Sequence, residues 1–174
     1  RNLLKIYSQV FVGERHFSLI NPTDSKTKYQ DLNTRNLADL TTHLGDFTSN
    51  VKVGFLGENY KYFENIEKDN FTFGKVETLL AKYNLNYRLN SKILTDFVAD
   101  FTQNKGTGSD IRHDKRTISG FGLQFKHNVN AKLSYDWSLR KEITSNYKSP
   151  VLYAIGMNFK PLKFYTIKAN FSQN

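Results

Sequence analysis

The sequence contains no cysteine, one methionine, one tryptophan and three prolines in 174 residues. Without cysteine the chain has no disulfide framework, no thiolate nucleophile and no cysteine-based zinc site. No run approaches the roughly 20 apolar residues that a membrane-spanning helix needs. The chain also opens without the charged start and small-residue cleavage site of a signal peptide. We therefore expect a mature chain, or a piece of one, that carries no cofactor.

Aromatic residues are abundant, with fourteen Phe and ten Tyr, and the formal net charge is +9. Many aromatics with little proline favour strands over helices. A strongly positive charge suits a protein that binds nucleic acid, faces anionic lipid or captures an anionic ligand.

Residues 131–142 (AKLSYDWSLRKE) alternate between apolar and polar side chains. In a strand, successive side chains point to opposite faces, so this pattern predicts one face in an apolar medium and the other in a wet one. The same alternation recurs along the whole chain. It predicts an all-β, antiparallel fold of about ten strands.

The connections between the predicted strands alternate in length. A return strand is predicted at residues 17–20. Long polar loops are predicted at residues 21–33, 64–70 and 104–116, and a fourth loop, SNYKSP, at residues 145–150. The short turns between them are expected near Gly13, Gly45, Asn90, Asn128 and Pro161. Short turns at one end and long loops at the other are typical of transmembrane β-barrels of the outer-membrane type.

The two predicted faces agree with a barrel in a membrane. The polar face carries charges such as Asp96, Asp100, Lys132, Asp136 and Arg140, which suit a water-filled lumen. The apolar face places aromatics near strand ends and aliphatics between them, as an interfacial aromatic girdle would. The alternative is a soluble all-β domain whose apolar face packs into a shared core.

Residues 118–174 resemble the later barrel strands of TonB-dependent outer-membrane receptors of the cobalamin and siderophore class. The cues are a strand with alternating Tyr and Trp, a loop with Ser149 and Pro150 before a strand containing Gly156, and then the strand KFYTIKANFS. The chain carries no stretch like the family's plug domain or TonB box, and it ends on Gln173 and Asn174 rather than on an aromatic.

The resemblance implies that residues 1–174 are an interior part of a barrel of about 22 strands in the outer membrane of a Gram-negative bacterium. The implied function is transport of a scarce nutrient, such as a siderophore or cobalamin, as a small molecule or metal chelate. The implied partners are the rest of the barrel, a plug domain, TonB acting through the plug, and lipopolysaccharide. The alternative is a complete small outer-membrane barrel that acts as an enzyme, adhesin or pore.

Catalytic and nucleic-acid signals are weak in this sequence. It contains no GxSxG, Walker or HExxH motif, and its four histidines lack metal-ligand spacing. Asp96 and Asp100 could form a carboxylate pair in a lumen, although a solvated pore wall explains them as well. Oligonucleotide-binding barrels have about five strands, half the number expected here. We expect a protein that is neither an enzyme nor a nucleic-acid binder.

Function is expected in the long loops, where basic and aromatic residues cluster. At one rim of a barrel they could contact lipopolysaccharide or capture a ligand. The identity of the ligand stays open. The candidate ligand-binding residues are Tyr29, Tyr60, Tyr62, Arg112, His113, Arg116 and Tyr147.

Overall fold

A computed structural model describes residues 1–17, 26–110, 114–144 and 147–173. These residues form one antiparallel sheet of nine strands, each paired with its neighbours in chain order. No helix in the described ranges is long and apolar enough to cross a membrane. The strands are β1 (Asn2–Phe17), β2 (Thr27–Leu44), β3 (Phe47–Phe63), β4 (Thr72–Arg88), β5 (Ile93–Gly108), β6 (Asp114–Asn128), β7 (Leu133–Thr144), β8 (Val151–Leu162) and β9 (Tyr165–Gln173).

The sorting of connections by length is confirmed. Residues 45–46, 89–92, 129–132 and 163–164 connect strands at one end, which we call the turn end. Residues 18–26, 64–71, 109–113 and 145–150 connect strands at the opposite end, which we call the loop end. In the two-residue turn between β2 and β3, Gly45 has a φ of 56°, a left-handed conformation that favours glycine.

The expected turn near Gly13 is wrong, because Gly13 lies inside β1. The expected loop at residues 21–33 is wrong from residue 27 onward, where β2 begins and pairs with β1. The predicted return strand at residues 17–20 lies outside the described residues from residue 18. With the turn at Gly13 removed, the described part of the chain contains nine strands rather than ten.

Two further boundaries differ from the expectation. The loop predicted at residues 104–116 is shorter, because β5 continues to Gly108 and β6 begins at Asp114. Pro161 lies inside β8, next to an irregularity in the pairing between Phe159 and Leu162, and the turn follows at residues 163–164. A proline lacks the N–H of a regular ladder, so an irregular site in a strand tolerates it.

One face of the sheet, the apolar face, consists of even-numbered residues on β1 and β2 and odd-numbered residues on β3 to β9. Its side chains are among the most exposed, with Ile6 at 72% and Ile155 at 54%. Among the described residues no apolar side chain is buried. The surface area of 12817 Å² exceeds the roughly 8,800 Å² expected of a compact monomer of this mass. The sheet therefore has no protein core of its own.

The apolar residues form a belt that crosses the strands at a slant. On β1 the belt covers residues 4–12, and on β8 it covers residues 151–159. Pairing across seven neighbouring strand pairs aligns Leu4, at the turn end of the β1 belt, with Val151, at the loop end of the β8 belt. The belt has thus moved about 26 Å along the strands over about 34 Å across them, using standard strand dimensions. A belt with this slope would be level if the strands were tilted by about 38°.

Glycine is concentrated on the opposite, polar face. A Cβ added at Gly54 would lie 2.5 Å from Leu80 Cδ1, and one at Gly156 would lie 2.9 Å from Asp136 Oδ1. Neighbouring side chains therefore occupy the space above these glycines, and a larger residue at either position would collide with them. Of the ten glycines, the polar face holds Gly13, Gly54, Gly74, Gly106, Gly108, Gly120, Gly122 and Gly156.

Candidate functional site: an aromatic platform near the loop end

Two tyrosines nominated from the sequence come together on the polar face near the loop end. The rings of Tyr29 on β2 and Tyr60 on β3 are stacked, with centroids 5.5 Å apart and planes within 11°. Both residues lie on strands, whereas the sequence predicts that they lie in loops. We call this pair the aromatic platform.

The platform continues onto β1 through Arg15. Its guanidinium carbon lies 5.0 Å from the centre of the Tyr29 ring, a cation–π geometry. Arg15 Nη2 also donates a hydrogen bond to Asp31 Oδ2 at 2.8 Å. The carboxylate therefore holds the guanidinium beside the ring and neutralises its charge.

Asp31 is the one polar or charged residue that is buried in the described part of the chain. Its carboxylate lies over Gly13 of β1, where a Cβ would meet Oδ1 at 2.7 Å. Oδ1 has no hydrogen-bond partner. The absence of a side chain at residue 13 explains why the strand continues through this glycine, since it makes room for the buried acid.

Tyr60 leans in the same direction, onto the next strand. Its ring lies against Gly74 of β4, at a position that a side chain on residue 74 would occupy. Arg15 thus contacts Tyr29, Tyr29 stacks on Tyr60, and Tyr60 lies over Gly74, so the three side chains cover the polar face from β1 to β4. A side chain at residue 13 would displace Asp31, and one at residue 74 would displace the Tyr60 ring.

The platform lines a concavity whose other walls are both apolar and polar. Phe11 and Val76 contribute apolar surface, while Asn33 and Glu58 contribute hydrogen-bonding groups. Burial, assisted by the nearby Asp31 carboxylate, raises the pKa of the Tyr29 hydroxyl. Such a site can stack on a flat or apolar ring and hydrogen-bond to its substituents.

Of the other candidate ligand-binding residues that the structure describes, one lies beside the platform and two lie on other elements. Tyr62 pairs directly with Tyr29 across β2 and β3 and shares the polar face. Arg116 pairs with Asn104 on β6 and β5, and Tyr147 is exposed in the β7–β8 loop. Arg112 and His113 lie outside the described residues.

Arg15, Asp31, Glu58 and Gly74 were missed by the sequence reasoning. Arg15 had been assigned to a turn and Asp31 to a loop. Continuing the β1 alternation past Gly13 would have placed Arg15 on the face of Tyr7 and Phe11. That pattern is the one sequence signal that could have found it.

Nearer the turn end, a charged row runs across the polar face at the height of the belt. Lys52 Nζ lies 3.5 Å from Asp39 Oδ2, and Arg140 Nη1 lies 3.0 Å from Asp100 Oδ1. Gly120, between β5 and β7, leaves the space through which Arg140 reaches Asp100. The residues directly aligned in this row are Lys5, Asp39, Lys52, Lys82, Asp100, Gly120 and Glu142.

The candidate carboxylate pair does not act as a unit. Asp100 accepts hydrogen bonds from Arg140, whereas Asp96 accepts one from Asn86. Across the described ranges, no group of three or more His, Asp or Glu residues is placed to hold a metal ion.

No known protein family matches the chain, and no curated protein is significantly similar to it.

Proposed function

We propose that this chain forms part of the wall of an outer-membrane β-barrel that takes up a scarce nutrient as a TonB-dependent receptor. The observation that carries the proposal is the slanted apolar belt on the exposed face of the sheet. In a barrel with strands tilted by about 38°, a belt that slants in this way becomes level with the membrane plane.

The dimensions of the belt suit a bilayer. Nine residues at that tilt span about 21 Å, close to the roughly 25 Å apolar band of outer-membrane barrels. Aromatic pairs lie on the apolar face toward the turn end: Phe47 stacks on Tyr87 with centroids 4.2 Å apart, and Phe125 stacks on Trp137 at 5.6 Å. Aromatic girdles occupy such positions at a membrane interface.

The open sheet supports a barrel larger than the described strands. β1 and β9 form its two edges and do not pair with each other in the described residues. A spanning sheet cannot leave an edge in hydrocarbon, because each unpaired backbone group costs several kcal/mol there. Further strands would satisfy both edges, as in a 22-stranded receptor barrel.

The polar face would then line the lumen, with the charged row facing a plug domain and the aromatic platform facing the ligand. The charged row across β1 to β7 lies at the height of the belt and offers hydrogen bonds and ion pairs to a plug domain. The aromatic platform lies beyond the belt on the loop side, where a ligand such as a siderophore or cobalamin would first be captured. Energy would come from TonB through the plug.

Uptake by cells that express the intact protein tests this function. With limiting cobalamin, or with iron supplied as a ferric siderophore, a deletion strain should lose growth on one of these nutrients. Collapse of the proton gradient should stop uptake by the wild type. Normal growth of the deletion strain on every cobalamin and ferric siderophore supplied would contradict the proposal.

Binding to the intact purified protein tests the platform. Tyr60→Ala should weaken binding of the transported nutrient by about 2- to 10-fold, the range expected for one aromatic contact. Tyr165→Ala, an exposed tyrosine near the turn end, is the matched control and should bind as the wild type does. Equal affinity of both variants would exclude the platform from capture.

A further inference from the structure

A group of lysines surrounds a cavity on the polar face, near the turn end of β6 to β9. The cavity has a volume of about 410 Å³, within the roughly 300 to 1,000 Å³ of small-molecule sites. Its charged lining residues are all lysines, namely Lys126, Lys132 and Lys160. On the β9 side, Lys168 pairs directly with Asn158, which also lines the cavity. We call these four lysines the basic cluster.

Two lysines of the basic cluster face each other directly. Lys160 N donates a hydrogen bond to Lys132 O at 2.7 Å, one step beyond the pairing of Leu133 with Phe159. Asn130 Oδ1 accepts hydrogen bonds from Lys132 N at 2.8 Å and Leu133 N at 2.9 Å, and so fixes the turn that carries Lys132. Like charges placed opposite each other in a sheet are destabilising. An anion bound between the two ammonium groups would remove that cost.

The acids nearest to the basic cluster do not neutralise it. Asp136 pairs with Lys126 in the register of β6 and β7, yet its carboxylate lies over Gly156 on β8, where an added Cβ would meet Oδ1 at 2.9 Å. Asp96 on β5 accepts a hydrogen bond from Asn86 instead. No lysine of the cluster forms an ion pair with a residue of the described ranges. The cavity is therefore lined by positive charges that no contacting anion offsets.

The cavity also contains a hydrogen-bond acceptor without a donor. Asn158 Oδ1 is buried and has no hydrogen-bond partner within the described part of the chain. Asn128, Ser134 and Asn158 lie in one register row across β6, β7 and β8. This neutral row lies between Lys126 on its loop side and the two facing lysines on its turn side. Because a buried acceptor left unpaired costs free energy, an anion that also carries an O–H group would fit this cavity better than one that does not.

We infer that the basic cluster is a binding site for phosphate, either the free ion or a small phosphate ester that carries a hydroxyl group. The ammonium groups would bind the anionic oxygens through charge-assisted hydrogen bonds. Asn158 Oδ1 would accept a bond from the proton that free phosphate retains at neutral pH, or from the hydroxyl group of the ester. Sulfate carries no such proton, so the site should prefer phosphate to sulfate. This site is formed by the sheet alone and does not depend on the proposed receptor function.

Binding of radiolabelled inorganic phosphate to the purified intact protein tests the site. Lys132→Gln combined with Lys160→Gln should weaken binding by about 10-fold or more, because two charge-assisted bonds are lost. Lys105→Gln combined with Lys115→Gln removes the same charge at the loop end, and at physiological salt it should change the affinity by less than about 2-fold. Should the first pair fail to fold, Lys126→Gln with Lys168→Gln replaces it. An equal loss in both double variants, or a wild type that binds neither phosphate nor a phosphate ester, would overturn the inference.

Competition by other anions tests the contribution of Asn158. Sulfate should compete about 10-fold more weakly than phosphate, because it leaves the buried acceptor unpaired. Asn158→Leu should abolish this preference, whereas Asn158→Asp, which keeps an acceptor, should retain it with a lower affinity for both anions. Glycerol phosphate that competes more strongly than inorganic phosphate would identify an ester as the ligand, and weaker competition would identify the free ion. Equal competition by sulfate and phosphate in the wild type, or an unchanged preference in Asn158→Leu, would overturn the assignment.

Discussion

On the two faces of this sheet, the same strands carry side chains of opposite character and opposite exposure. Along β8, Ile155 on the apolar face is 54% exposed, while Gly156 on the polar face is buried. A soluble sheet has the reverse arrangement, with its apolar face shielded by a second layer. Here the crowded, glycine-rich side is the polar one.

The difference indicates which face meets an apolar medium. A large apolar side chain left in water forfeits about 1.5 to 3 kcal/mol of burial energy, and the belt presents many of them. The polar face instead pairs several of its polar groups with one another, as in the bonds from Arg140 to Asp100 and from Asn86 to Asp96. Single substitutions on either face test this difference.

The largest effect is expected in the middle of the belt. Ile155→Arg should destabilise the protein in a bilayer by about 2 to 4 kcal/mol, the cost of an arginine at the midplane on the lipid face. Ala154→Arg places the same charge on the polar face, between Ser138 and Ser172, and should cost less. Denaturant unfolding in vesicles measures both. Changes within about 0.5 kcal/mol for both variants, as at a watery surface, would contradict the assignment of the faces.

A smaller effect is expected where the polar face is crowded. Gly120→Val should cost about 1 to 3 kcal/mol, because a side chain there would collide with the carboxylate of Asp100 and the guanidinium of Arg140. At Gly122 an added Cβ finds its nearest neighbour at 3.7 Å, so Gly122→Val is the matched control with the same gain in strand propensity. Equal unfolding free energies for the two variants would mean that the polar face is not crowded at Gly120.

Sequence alone predicted the strands well where the two faces meet different media. Alternation identified the belt segments, and the turns at Gly45 and Asn90 are confirmed. Beyond the belt both faces are polar, so alternation loses its signal, and the sequence predicts a loop up to residue 33 where β2 has already begun at Thr27. Glycine is common in turns, so the sequence predicts a turn at Gly13. In the structure Gly13 makes room for Asp31, a residue 18 positions away that a local pattern does not reveal.

The candidate site could be predicted only in part for the same reason. Tyr29 and Tyr60 are candidates from the sequence because the basic and aromatic residues of the predicted long loops are expected to cluster at one rim. Their contact, and the contribution of Arg15, follow from the register of three strands, which composition and periodicity do not determine.

The smallest effect is expected for one ion pair on the polar face. Asp100→Asn should cost about 0.5 to 1 kcal/mol, because Arg140 is partly exposed and keeps its bond to Glu142 at 3.1 Å. A double-mutant cycle with Arg140→Gln isolates the pair. A coupling energy near zero would mean that the charged row serves a partner such as the plug rather than the sheet itself.

A barrel wall requires the exposed apolar face to meet lipid and the polar face to meet water. Single cysteines placed in turn at residues 151–159 of the intact, membrane-embedded protein, in a background without other cysteines, can carry spin labels that report both media. In a barrel wall the response should have a period of two: labels at odd-numbered positions respond to lipid-soluble oxygen, and labels at even-numbered positions respond to a water-soluble nickel chelate. Odd-numbered positions that respond to the nickel chelate, or that are shielded from both reagents, would contradict it.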